Sequence, residues 1–376
     1  AKRQCTMMLR LVALALALAS VSAARPTWRE LDGYSFKQYL VDFHKQYAPG
    51  AELERHREVF EKNLATIRSH NADTSRSWRA GVNQFTDLDK DDMEFYKGID
   101  KNIMHSRRAK ANTAAPRASL PRDLPDSVDW RDAGVVTSVK NQGHCGSCWT
   151  FAATEALESA VAISTGSLFT FSEQEFVSCV ENTEKCGGTG GCSGATMELA
   201  YEYAMENGLA TEWTYPYTSY YGEDGNCTMD SIDSPVAGIT GYTVNPTNSY
   251  TDLITSVATV APIAVTVDAS VWHLYESGIF DGCNQETPEL DHGVLLVGYG
   301  SDDDSTYYLI RNSWGPAWGE QGYIRIQRVD DEANLCGVDV TPADGVGCEG
   351  GPDNVTVCGT CGILYDTSYP TGGYIA

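Results

Sequence analysis

Between Trp28 and Asn71 apolar residues recur at helical spacing, with Phe36, Leu40, Phe43 and Tyr47 on one stripe and Val59, Phe60, Leu64 and Ile67 on a second. Pro49-Gly50 breaks the pattern, so two helices are predicted there. Gly81–Asp87 reads as a shorter, extended stretch. From Lys101 to Ala118 the chain carries basic and small residues, Pro116 and almost no large apolar group, the texture of a protease-accessible linker. After Pro121 the pattern changes. A helix is predicted to begin near Cys148 and run through Phe151, Leu157 and Ala160 towards Gly166. Cys186 to Gly194 holds five Gly and two Cys, too many breakers for regular structure. Ile263–Val267, Gly293–Val297, Tyr307–Ile310 and Tyr323–Ile326 are short β-rich runs between Gly and charged turns. A helical half followed by a strand-rich half predicts the α+β class with two lobes.

The amino-terminal residues fix the expected compartment. Arg10 precedes the apolar run Leu11–Ala19, and Val21-Ser22-Ala23 supplies small residues at the cleavage positions. That is a signal-peptide pattern, read over 1–24, with Met7 or Met8 as the start and residues 1–6 upstream of it. The run is too short to span a bilayer, no other segment is apolar enough, and the secretory route permits disulfides. At 376 residues, with 42% hydrophobic and 21% charged side chains, the chain can bury a large core. Its net charge of −24 is uneven: 20 basic and 14 acidic residues precede position 121, and 7 and 37 follow it. That step suggests a boundary near residue 120, between a 25–120 leader and a 121–376 domain. The acidic field repels nucleic acid and anionic lipid, which excludes both as expected partners. Attraction between a basic leader and an acidic domain weakens as carboxylates protonate. It therefore predicts self-activation in acid, with cleavage between about Lys101 and Asp123.

The densest chemistry lies in Gln142-Gly-His144-Cys145-Gly-Ser-Cys148-Trp149. A Cys at a helix start feels the positive dipole end, which favours thiolate. A thiolate nucleophile needs a cationic partner able to protonate a leaving amine, and only His144, His273 and His292 follow residue 120. His292 precedes an apolar strand that can fix its ring, and Asn312, after the next strand, can hold its second nitrogen. Trp314 can cover that bond from water. His144 and His273 read as structural or surface groups, and Asp291 as an exposed carboxylate that tunes His292 weakly. Cys148 could also act as a redox partner of Cys145, so a thiol-disulfide oxidoreductase remains an alternative on the residues alone.

Gln142, Cys145-Gly-Ser-Cys148-Trp149, His292-Gly293 and Asn312-Ser-Trp314-Gly315 resemble the papain-like cysteine proteases, nearest the cathepsin L branch. The leader resembles that family's inhibitory propeptide through Glu52, Phe60, Asn63, Ile67 and Asn71, with His56 where the family has Arg, and through Gly81, Asn83, Phe85 and Asp87. The resemblance implies a two-lobed fold, a helical lobe beside a β-barrel-like lobe, behind a mainly helical propeptide. It implies an endopeptidase zymogen, expected as a monomer, with peptide and protein substrates, its own propeptide as intramolecular inhibitor, and no cofactor or metal. Cys148 would be the nucleophile, His292 the acid and base, Asn312 its orienter, and Gln142 an oxyanion donor. Gly194 would pair with an extended substrate, beside Ala195 where the family usually has a second Gly. The pocket for the residue two before the scissile bond would be lined by Thr196, Met197, Thr266 and Leu290. With Asp366 at its floor, that pocket is expected to accept Arg as well as Leu, Val or Phe. A catalytically silent, propeptide-type inhibitor is the other alternative, although Cys148, His292 and Asn312 are all present.

The 121–376 domain holds eleven Cys; setting Cys148 aside leaves ten, an even number. The resemblance implies Cys145–Cys192 and Cys179–Cys227. Cys283 has two candidate partners, Cys336 and Cys361, because both open a Cys-Gly of the family's terminal type. Cys361 is preferred because Cys361–Pro370 also matches the closing strand, which makes about 336–360 an insertion with bridges of its own. Cys348, Cys358 and Cys361 could otherwise hold a metal, but secretion favours disulfides. Asn226-Cys-Thr and Asn354-Val-Thr are glycosylation sequons. The endpoint is expected to be a lysosome, an acidic vacuole or the cell exterior.

Overall fold

The computed structural model describes residues 25–98, 124–228, 235–302, 305–329 and 332–376. The signal segment read over 1–24 and the linker read at Lys101 to Ala118 lie outside the described residues.

In the leader, α1 (Phe36–Asp42) starts where the Ser35 hydroxyl accepts from Gln38 N (3.3 Å). The longer α2 (Ala51–Ala72) follows a turn ending at Gly50. Phe60, Leu64 and Ile67 bury one face of α2 against Phe36 and Tyr39, and Leu274 of the following domain closes the same cluster. The opposite expectation fails at Gly81–Asp87. The extended strand is β1 (Trp78–Ala80), one step earlier, and within Gly81–Asp87 the chain turns over 84–87. Polar side chains on α2 hold this region. Asn71 exchanges bonds with the Ala80 backbone (2.7 and 3.0 Å), Asn63 donates to Thr86 O (2.9 Å), and a His56 ring nitrogen lies 3.0 Å from Asp87 O. The fully buried Asp87 accepts from Tyr39 (2.8 Å), Lys45 (3.1 Å) and Tyr47. A four-residue helix, α3 (Lys90–Met93), leads on to Lys97, whose backbone lies beside Cys148.

The following domain opens with β2 (Val128–Asp129) and the helical lobe α4 (Cys148–Thr165), α5 (Glu173–Cys179) and α6 (Met197–Asn207). The sheet lobe contains β3 (Ala237–Gly238), β4 (Gly241–Val244), α7 (Tyr250–Thr259), β5 (Ile263–Val267), β6 (Tyr275–Phe280) and β7 (His292–Asp302). It continues with β8 (Ser305–Arg311), β9 (Tyr323–Arg328), β10 (Cys336–Asp339), β11 (Val355–Cys358), β12 (Thr367–Thr371) and β13 (Tyr374–Ile375). Among the described residues the main sheet runs β1-β6-β9-β8-β7-β5-β12-β4, with β2 on β7. The leader therefore contributes an edge strand, β1, paired antiparallel to β6 with Trp78 opposite Gly278. Gly81 lets the chain pass Glu276, since a Cβ there would meet its carboxylate at 1.9 Å.

Helix α4 packs between the lobes and is buried from Cys148 to Ala162. It nonetheless carries Glu155 and Glu158, which are neutralised from outside the helix. Arg311 reaches Glu155 at 3.0 Å and Lys140 reaches Glu158 at 2.6 Å. Two of the domain's seven basic residues are thus used to seat the helix that carries Cys148, because an unpaired charge there would cost several kcal/mol. Strands β10 and β11 pair antiparallel as a two-stranded sheet of their own. Among the described residues no helix is long and apolar enough to cross a membrane. Asn226 and Asn354 are both exposed.

Candidate active site

Cys148 is the first residue of α4, and Ser147 before it is held by a hydroxyl contact with Tyr217 (2.7 Å). The start of β7 comes within reach of this point because residue 293 is Gly. A Cβ there would lie 3.3 Å from both Trp149 Cα and Met197 Sδ. Gly293 N donates to Cys148 Sγ (3.4 Å). Strands β7 and β8 run antiparallel with Leu295 opposite Arg311, so the beginning of one meets the end of the other. That register brings His292 Nε2 to 2.8 Å from Asn312 Oδ1. The same oxygen accepts from Ser313 N (2.8 Å), which fixes the amide and leaves the imidazole proton on Nε2. Trp314, fully buried, lies 4.9 Å from the His292 ring centre. Gln142 is aimed from both ends, its Oε1 accepting from Ser313 Oγ (2.6 Å) and its Nε2 donating to Cys145 O (2.8 Å).

The leader runs through this arrangement. Tyr96 O accepts from Gln142 Nε2 (3.0 Å) and Trp314 Nε1 (3.1 Å), and Lys97 O lies 3.5 Å from Cys148 Sγ. Gly98 follows so closely that a Cβ on it would sit 3.0 Å from Gly146 O and 3.5 Å from Gly194 Cα. The sequence had left Asp91–Gly98 without a role. Lys97-Gly98 just before a basic linker was the available signal, but nothing in the spacing says where it docks.

This covering reverses the expected charge state. A thiol at a helix start was expected to be acidified. Instead, burial pushes Cys148 up to about 12, with Gly293 N–H opposing and the Asp291 carboxylate adding to the rise. Burial pulls His292 down to about 4, against the bond to Asn312 and helped by the Lys97 charge. Its Nδ1 has no hydrogen-bond partner. A thiol and a neutral imidazole therefore coexist across the ordinary pH range. Asp291 also departs from expectation. It is 2% exposed rather than on the surface, and its Oδ2 is 2.8 Å from Lys97 Nζ. His144 is exposed and stacks on Phe95, ring centres 4.4 Å apart, while His273 is largely buried and pulled down to about 4 by burial and Lys97.

The space beside Cys148 is lined by Gly194, Ala195, Met197, Thr266, Gly187, Asp344 and Gly345, among others. Thr196, Leu290, Trp314 and Asp366 stand outside that lining. Asp366 lies behind Thr266, whose hydroxyl donates to its Oδ2 (2.7 Å). Burial, with the nearby Glu198 carboxylate, holds Asp366 well above the usual carboxylate range. Leu290 is buried, and its carbonyl is covered by Gly345.

Five disulfides join Cys145–Cys192, Cys179–Cys227, Cys186–Cys348, Cys283–Cys361 and Cys336–Cys358, and Cys148 is the free thiol among the described residues. Cys336–Cys358 closes the segment 336–360 on itself. Cys186–Cys348 carries it across to the helical lobe, where Gly187 N donates to Gly347 O (2.7 Å) and Glu349 N to Glu184 O (2.9 Å). Through Asp344 and Gly345 the segment 336–360 forms one wall of the cleft, which the sequence did not suggest.

Residues 124–346 match the family described as papain family cysteine protease, and residues 36–93 match the cathepsin propeptide inhibitor domain. A cathepsin L-like protein of Caenorhabditis elegans is 38% identical over 87% of this chain and 96% of its own length. Oryzain beta chain of Oryza sativa subsp. japonica is also 38% identical, over 86% of this chain and 63% of its own length. Among solved structures, digestive procathepsin L 3 of the Tenebrio molitor larval midgut is similar at a TM-score of 0.68. It shares 32% identity, and the match covers 89% of this chain and 97% of that one.

Proposed function

The chain belongs to the papain family of cysteine proteases and is a cysteine endopeptidase zymogen with a propeptide inhibitor domain, and on that premise we propose that Cys148, His292, Asn312 and Gln142 carry its chemistry. His292 Nδ1 takes the Cys148 thiol proton as Sγ attacks the scissile carbonyl, and the imidazolium gives that proton to the departing amine. The neutral ring later takes a proton from the water that frees the acyl group and returns it to the leaving thiolate. Asn312 keeps the ring in the tautomer this requires, under the cover of Trp314. The oxyanion goes to Gln142 Nε2 and the Cys148 N–H, a contribution of several kcal/mol to the barrier. The observation that most supports the assignment is the leader itself, since a backbone carbonyl, Tyr96 O, already rests on Gln142 Nε2 at 3.0 Å. Alkylation by an epoxide thiol inhibitor, followed by peptide mass mapping, tests it. The adduct is expected on Cys148 with parallel loss of peptidase activity. An adduct elsewhere, or activity surviving full labelling, overturns the assignment.

The domain limits proposed are a signal peptide over 1–24, a propeptide over 25–120 and a catalytic domain over 121–376 with an insertion at about 336–360. The leader is removed in acid, and the protein works as a monomer in a lysosome, an acidic vacuole or outside the cell. The five disulfides support passage through the secretory route. Gly194 and Ala195 line the peptide's backbone path. Thr196, Met197, Thr266 and Leu290 shape the pocket two residues before the scissile bond, Trp314 covers the far side, and Asp366 biases the pocket towards Arg from behind Thr266. An arriving guanidinium must ionise Asp366, so the Arg preference is expected to grow with pH. Matched Arg and Leu substrates, compared in wild type and Asp366→Ala, measure this. An unchanged Arg/Leu ratio in the variant ends the idea.

A further inference from the structure

The strongest charge contact between leader and catalytic domain is not at the surface. Lys97 Nζ meets Asp291 Oδ2 at 2.8 Å with both side chains 1% exposed. Among the described residues, most other leader charges pair within the leader, as Arg55 does with Asp89 and Asp92. Lys90 approaches Glu289 only at 4.0 Å, between exposed groups. The carboxylate partner is built into the domain. Asp291 Oδ1 accepts from Ala269 N (2.9 Å), which aims Oδ2 at the cation. Asp268 lies alongside, 1% exposed, its Oδ1 accepting from Ser270 N (2.9 Å). Burial and the Asp291 charge push Asp268 up to about 6, as two carboxylates facing one cation should. Burial alone would lower Lys97, but Asp291, with Asp268 and Glu94 behind it, holds the ammonium above its ordinary value.

When the leader is cut away it takes the ammonium with it, and both carboxylates stay. Among the described residues no second cation pairs with either. Both carboxylates are buried with the leader in place; once it is gone they open to water, and a cationic side chain docking there restores the charge contact that Lys97 made. Its position says which part of a substrate can do so. Asp291 precedes His292 in the chain, and the departing amine must come to His292 for its proton. Lys97 O lies 3.5 Å from Cys148 Sγ while its Nζ reaches Asp291, and Cys148, Asp291 and His292 border one space, so a side chain on the departing-amine side has the same route to Asp291.

We propose that Asp291, backed by Asp268, forms a cation-accepting subsite for a Lys or Arg side chain immediately after the scissile bond. The proposal rests on the peptidase reading of Cys148 and His292. Lys97 is then a placeholder, a side chain of the leader occupying the site that a basic substrate residue takes in the mature enzyme. Mature enzyme is assayed with two internally quenched peptides that differ only after the scissile bond, one with Lys and one with norleucine, which matches its length without charge. The wild type is expected to favour Lys by about tenfold in kcat/KM, the scale of one desolvated charge pair. Asp291→Asn should bring the ratio close to one, and Asp268→Asn, one step farther from His292, should lower it partway. Because each variant is its own reference, an overall loss of rate does not move the ratio. The norleucine peptide separates the two readings: its ready hydrolysis with a wild-type ratio near one overturns the subsite and leaves the peptidase standing. A tenfold preference that survives in both variants overturns it as well.

Discussion

A zymogen carrying Cys148→Ala is expected to stay full length at pH 4.5 over a time in which the wild type is completely processed. Once matured in trans by active enzyme, it should hydrolyse peptides with kcat lower by about 10⁶, the scale seen when a covalent nucleophile is removed from a preorganised site. The expectation follows from geometry. With the thiol gone, Gln142 and the Cys148-position amide can still hold a carbonyl, but no bond to it can form, and His292 has no thiolate to pair with. Adding His292→Ala should cost little more, because the two groups act as a unit. The wild-type control carries the acid reading. Processing that is as fast at pH 7.5 as at pH 4.5 would remove acid triggering, and processing of the Cys148→Ala chain in pure solution would remove Cys148 as the nucleophile.

The second large effect concerns stability. Burial pushes Glu175 and Glu332 up to about 7, Glu175 against one bond from Ala210 N and Glu332 against bonds from Tyr308 and Thr360. Among the described residues neither is paired to a cation by a short contact. Each folded carboxyl keeps its proton where the unfolded one has lost it. The stability it contributes is full below the unfolded value near 4.5 and disappears as pH rises through about 7. The change is about 3 kcal/mol each as an upper bound. His273 and His292, pulled down to about 4, act oppositely, their contribution present above the unfolded value and lost as pH falls towards 4. Raised carboxyls outnumber lowered imidazoles, since Asp268 and Asp339 also sit near 6 and Glu276 near 7. The Cys148→Ala zymogen is therefore expected to melt at higher temperature at pH 5 than at pH 7.5. Glu175→Gln and Glu332→Gln should each flatten that slope. A melting temperature that climbs steadily from pH 5 to pH 7.5 would contradict this.

Much of this was legible in the residues. The helix starting at Cys148, the strand runs and the leader's two apolar stripes are local patterns, and local patterns survive folding. For the pairing of Cys148, His292 and Asn312 across 144 and 164 residues, residue chemistry offered candidates among three histidines, and resemblance to a family singled the set out. What escaped depends on contacts made by distant parts of the chain. Asp291 reads as a surface carboxylate until Lys97 arrives from 194 residues away. The helix start at Cys148 predicts an acidic thiol, but the leader's backbone removes the water that thiolate needs. Gly81–Asp87 reads as extended because nothing local reports that Asn63, Asn71 and His56 fold it against α2. Ten cysteines of even count say that bridges form, while the union of Cys186 with Cys348 depends on where an insertion lands.

That last bridge makes the two lobes a single covalent body. The other four disulfides stay within one lobe or the other, whereas Cys186–Cys348 spans 162 residues and ties the helical lobe to the sheet lobe. A peptidase is open to cleavage by its own copies, and exposed loops between the lobes are where nicking falls first. In this molecule a single cut anywhere between the two half-cystines leaves a two-chain enzyme whose halves cannot diffuse apart, with the cleft between them still assembled.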